Sequence, residues 1–202
     1  MKKLLLVIGL FTLVGCSKEP IRDPVEPVSK ATDEKNVVDK NEAAILVDKI
    51  QSIPTLEQAI QVSIGMMDDS FNKMPTAAMF IPLWAEKNKI DLGMINAITS
   101  TSYGKIMKDS SSERGKSFCV TGMVGDIAVD RSAGFAVYTG GIVTNDMRIV
   151  RYIAMKSTGD IVDGSMSKFC GIVVGKIKYE NARGGTTHAP YLVGMFNLPE
   201  NK

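Results

Sequence analysis

The sequence predicts an α+β protein, with short helices in its first half followed by a small five-stranded β-barrel. Three observations predict it. Between residues 41 and 107, apolar residues recur at helical spacing. Beyond residue 117 the pattern changes to β-branched and aromatic runs separated by Gly, Asn, Asp and Thr. Finally, the stretches FCVTGMVGDI and FCGIVVGKIKY, starting at Phe118 and Phe169, both open with Phe-Cys. Both also carry Val-x-Gly-x-Val/Ile (Val120, Gly122, Val124; Val173, Gly175, Ile177), as two strands bent in the same way would.

The chain begins with Met1-Lys2-Lys3 and a largely apolar run over residues 4–14. That run has the size of a signal-peptide core and is too short to span a bilayer. It ends in Leu13-Val14-Gly15-Cys16, which resembles the lipobox of bacterial lipoproteins. The resemblance implies that residues 1–15 are a cleaved signal peptide. It also implies that Cys16 carries acyl chains such as palmitate. Ser17, in place of Asp, implies sorting to the outer membrane, on the inner leaflet facing the periplasm. Acyl chains contribute about 0.8 kcal/mol per buried methylene, so several together anchor permanently. Residues 16–41 read as a flexible tether, with Pro20, Pro24 and Pro27 spaced among charges.

Residues 42–108 read as a helical region. Asn41 opens the first amphipathic stretch, and Thr55 is a predicted N-cap for the second. In the second, Leu56, Ile60, Ile64, Met67 and Phe71 form a stripe. A third apolar segment starts at Thr76 and is interrupted by Pro82. Asp91 is a predicted N-cap for a fourth, and Tyr103, Ile106 and Met107 suggest a last short turn. Met66, Met67, Met74, Met79 and Met94 read as core filler.

Residues 109–202 read as strands over 118–128, 134–143, 147–156, 170–182 and 190–198, with a long link between the third and fourth. Five strands in this arrangement are the layout of an OB-fold barrel. The first and fourth strands would then be neighbours, with Gly122 and Gly175 as their bends. Val120, Val124, Val173 and Ile177 would point inward, and Cys119 and Cys170 to the other face. The run YGKIMKDSSSERGKSFCVTGMVGDI resembles the entry to the barrel in bacterial proteins with a tRNA-anticodon-type OB domain. The resemblance covers residues 103–199 and implies nucleic-acid binding, by analogy of fold.

Charge and rare residues narrow the function. The net charge is +2, but residues 17–102 hold nine Lys/Arg against thirteen Asp/Glu, and residues 103–202 hold thirteen against nine. The second half is therefore mildly basic, less so than a dedicated nucleic-acid binder. With Cys16 acylated, two Cys and one His remain and there is no CxxC, which is too little for a structural zinc. No metal or cofactor is expected. There is no GxSxG, HExxH or P-loop, so no enzymatic activity is expected either. An oxidising compartment permits a Cys119–Cys170 disulfide. Two cysteines at the starts of antiparallel neighbours would lie apart, so the pairing stays open.

A ligand on such a barrel crosses its second and third strands and the flanking loops. There the candidate residues are Phe135, Tyr138, Arg148, Tyr152 and Lys156, with Arg148, Tyr152 and Lys156 sharing a face by alternation. Tyr179, Arg183 and His188 come from the loop between the last two strands. Aromatic rings for bases and cations for phosphates are what a single-strand binder needs. The reading is a membrane-anchored periplasmic binder of single-stranded nucleic acid or another polyanion. The alternative is an envelope module that contacts protein or glycan and binds no nucleic acid.

Overall fold

The computed structural model describes residues 40–181 and 184–198. The signal peptide, Cys16, nearly all of the tether and Arg183 lie outside the described residues. No helix among the described residues is long and apolar enough to cross a membrane.

The helical region opens with α1 (Lys40–Gln51) and α2 (Leu56–Ser63). The Thr55 side chain caps α2 by accepting the Gln58 N–H at 3.2 Å. A 3-10 turn (Ile64–Met66) leads to a two-residue strand, β1 (Ser70–Phe71). Then come α3 (Phe80–Lys87), α4 (Leu92–Ala97) and α5 (Tyr103–Lys108). Pro82 sits in the first turn of α3, where a missing N–H costs nothing. The Asp91 carboxylate caps α4 by accepting the Met94 N–H at 2.9 Å.

Five longer strands follow: β2 (Ser117–Asp130), β3 (Val137–Val143), β4 (Ile149–Ala154), β5 (Met166–Glu180) and β6 (Thr186–Phe196). β2 pairs antiparallel with β3, and β3 with β4; β4 pairs parallel with β6, and β6 antiparallel with β5. β5 returns antiparallel to β2, so the five strands close a ring. β1 adds to β5 in parallel outside that ring, giving six strands rather than five. The helical stripe hid β1: Met67 is buried as expected, but Phe71 is 51% exposed.

Every ring strand sends side chains into one inner core, which includes Val124, Ile142, Tyr152, Phe169 and Leu192. Tyr152, Phe169 and Phe196 stack there with centroids 5.0–5.2 Å apart. Ile106 of α5 joins this core from one end of the ring. A second core lies outside the ring, where Trp84, Ile81, Leu56 and Ile95 of the helices meet Cys170, Ile172, Val174 and Val193 of β5 and β6. The helices therefore cover the outer face of β5 and β6, and Ile177 belongs to this outer core rather than the inner one.

Cys119 and Cys170 are joined by a disulfide. They are direct cross-strand partners because β2 and β5 pair from Ser117↔Ile172 to Met123↔Met166. Both cysteines lie inside that paired segment, so strand direction does not separate them. The two repeated glycines differ in role. Gly175 sits in a β5 bulge at φ +149, and an added Cβ would stand 2.0 Å from the Asp68 carbonyl oxygen. Gly122 lies in regular register, and the bend of β2 falls between Val124 and Ile127 instead, with Asp126 at φ 96. What Gly122 provides is room, since its Cβ would stand 2.4 Å from the Val143 carbonyl oxygen.

Candidate functional site

The structure separates the residues that alternation groups together. Tyr152 is 0% exposed and points into the ring, where burial pushes its phenol well above the ordinary range. It is a core residue and offers no ring to a ligand. Tyr138 is half-buried against the same inner core. Lys156 lies beyond the end of β4 at φ 62, and its ammonium donates to the Ala85 carbonyl of α3. Phe135 and Tyr179 pack against the outer core. His188 is exposed, but on β6 rather than in a loop. Arg148 is exposed in the turn before β4. The outward cation of β4 is Arg151, which the sequence reading omitted. Its guanidinium lies over Gly141 and pairs with Asp126 at 3.1 Å.

Strand register brings several of these residues to one end of the ring. The turn between β3 and β4 lies there, together with the start of β6 and the end of β5. α5 plugs the same end. Arg148 stands 5.0 Å from the centroid of the Tyr103 ring and pairs with Asp146 at 2.8 Å. Burial raises the Tyr103 phenol above its ordinary value, opposed by the Arg148 charge. Lys178 stands 5.6 Å from the centroid of Phe71, and His188 is its cross-strand partner. Two cations thus lie on two aromatic rings, Arg148 on Tyr103 and Lys178 on Phe71. Such contacts are stronger where solvent is partly excluded. Tyr179 and Tyr191 are also raised by burial, against the opposing Arg151 charge, so both hydroxyls keep their proton at neutral pH. Among the described residues no group of three or more His, Cys, Asp or Glu could hold a metal.

Asp69 fixes this end. Its carboxylate accepts from Ser110 Oγ at 2.8 Å on both oxygens, the Lys176 N–H at 2.9 Å and Arg114 at 3.3 Å. Burial acts to raise its pKa, but the Ser110, Lys176 and Arg114 bonds outweigh this and hold it below the usual range. A lowered native pKa adds stability that is complete above the ordinary carboxylate range and is lost as pH falls from there through the native value. Asp69→Asn should therefore melt below wild type at neutral pH, and the gap should shrink as pH falls below the ordinary carboxylate value of about 4. A gap that stays constant with pH would mean that the charge of Asp69 contributes nothing.

No family model matches the chain, and neither does any curated protein. Among solved structures, it is similar to the crystal structure of the mitochondrial single-stranded DNA-binding protein Rim1 from S. cerevisiae. That similarity has 13% identity and a TM-score of 0.29, covering 43% of this chain and 95% of that one.

Proposed function

We propose that the protein is a lipid-anchored OB-fold module of the periplasm that binds single-stranded nucleic acid or a similar polyanion. The observation that carries the reading is the pairing of cations with aromatic rings at one end of the strand ring, Arg148 with Tyr103 and Lys178 with Phe71. Single-strand binders combine the same two elements, a cationic path for the backbone and rings on which bases stack. A five-stranded ring closed through a parallel β4–β6 pair supports the OB assignment. The location rests on the lipobox-like Leu13-Val14-Gly15-Cys16. A disulfide between Cys119 and Cys170 accords with an oxidising compartment.

Fluorescence titration of a labelled single-stranded oligonucleotide, its duplex and heparin, each at two salt concentrations, tests the reading. Single-strand binding should weaken with salt at a slope of about 0.7 per phosphate contact. Arg148→Ala should lower affinity for every sequence alike. No binding of any polyanion at low salt would remove the proposal. A second reading, contact with another envelope protein, is favoured by one feature. Leu46 (59% exposed), Val62 (57%) and Met66 (38%) line an apolar groove between α1, α2 and Phe80 of α3.

A further inference from the structure

The geometry points to one defined subsite: we propose that the groove between β1 and the outer half of β5 and β6 seats a single nucleotide unit of the bound strand. Its base would stack on Phe71, and its phosphate would lie between Lys178 and His188. This inference rests on the single-strand reading above and names a place for it.

Phe71 is held through the residues on either side of it. A strand of two residues has little reason of its own to form, because each pairing fixes backbone for few bonds. β1 is nevertheless fastened at both ends. Before it, the Asp69 carboxylate takes the Lys176 N–H and the Ser110 hydroxyl. After it, the Asn72 N–H donates to the Lys178 carbonyl at 2.9 Å, and the Asn72 side chain accepts the Glu180 N–H at 3.4 Å. Asn72 reaches both partners from the left-handed region at φ 52, which Asn tolerates better than most residues. All this anchoring fixes the backbone of a residue whose aromatic ring stays 51% exposed under the Lys178 ammonium. Core packing does not account for a large aromatic residue whose backbone is tied on both sides and whose ring is left half in water. A stacking platform does, because its ring must be both fixed and open.

The charge of the groove suits the same occupant. The groove holds about 340 Å³ and is lined by Asp69, Ser70, Phe71, Lys176, Lys178 and His188. That is the small end of the range for ligand sites. Asp69 lies 3.7 Å from the Lys176 ammonium and compensates it. Lys178 and His188 face each other across the β5–β6 pair, and among the described residues neither has a carboxylate within ion-pair distance. Glu180 is two residues further along the same face of β5. Two donors side by side next to a fixed ring match a phosphate and the base attached to it.

The test uses the full-length chain in detergent and a short labelled oligothymidylate. Phe71→Leu keeps an apolar side chain, and so β1, but removes the stacking ring. It should weaken binding roughly ten-fold, the equivalent of losing one stacked base. Phe71→Trp should bind like wild type, with the emission of the new indole quenched as oligonucleotide is added. Lys178→Gln should reduce the salt slope by about 0.7. Wild-type binding together with unchanged affinity and slope in Phe71→Leu and Lys178→Gln would overturn the subsite while leaving the single-strand reading in place. Absence of wild-type binding at low salt would overturn both.

Discussion

Replacing Cys119 and Cys170 together by Ala should lower the stability of the domain by about 4 kcal/mol. The bridge joins residues 51 apart in sequence. Cross-linking a loop of that length removes denatured-state entropy equivalent to about 4 kcal/mol at room temperature. The native state gives little of this back. Cys170 is 1% exposed and packs in the outer core, so Ala leaves a small void there rather than an exposed polar group. For a domain of this size the loss corresponds to a fall in Tm of roughly 10 °C. Reduction of the wild type should reproduce most of the shift, whereas the double variant should not respond to reductant. The decisive measurement is urea unfolding with and without reductant. Equal midpoints for oxidised wild type and double variant would show that the bridge adds nothing to the fold.

The parts of this fold legible in the sequence are those set by local chemistry. Thr55 and Asp91 cap the helices they precede, because an oxygen side chain before an apolar stripe has one obvious use. The five long strands follow from β-branched runs between turn residues. The least legible feature is which way the residues of β4 point. In IVRYIA, the set Val150, Tyr152 and Ala154 and the set Ile149 and Ile153 are both largely apolar. β4 is buried on both sides, by the inner core and by the outer one. Alternation assigns faces only when one face meets water. Arg151 carried the signal, as the one charge within the strand, and it marks the outward parity that Tyr152 does not share. β1 was hidden for a related reason. Phe71 extends the spacing of Leu56, Ile60, Ile64 and Met67, and only Gly65 and the Asp68-Asp69 pair hint that the helix has ended. The exposed ring of Phe71 is a property of what β1 pairs with, and no window of local sequence contains that partner.

Gly194→Val should cost about 3 kcal/mol or more and leave the ring unable to close. Gly194 lies opposite Gly171 in the β5–β6 pair. An added Cβ there would stand 2.0 Å from the Cys170 carbonyl oxygen and 2.4 Å from the Gly171 Cα. Both are backbone atoms, so no side chain can rotate away to make room. The reverse substitution, at Gly171, would bring a Cβ within 2.8 Å of the Val193 carbonyl oxygen. On its other side Gly194 is tied to β4, pairing with Ala154 and accepting the Met155 N–H at 2.8 Å. β6 cannot retreat from β5 without breaking that parallel pair, which is the contact that closes the ring. Overpacking a core costs about 1–3 kcal/mol when side chains can adjust, and more when the obstacle is backbone. Gly104→Ala supplies the contrast. Nothing lies within 4 Å of its added Cβ, it sits in α5, and it should gain up to about 1 kcal/mol from helix propensity. Thermal melts of the two variants should therefore move in opposite directions. A Gly194→Val protein that melts within a few degrees of wild type would mean that β5 and β6 separate more readily than their register and the inner core imply.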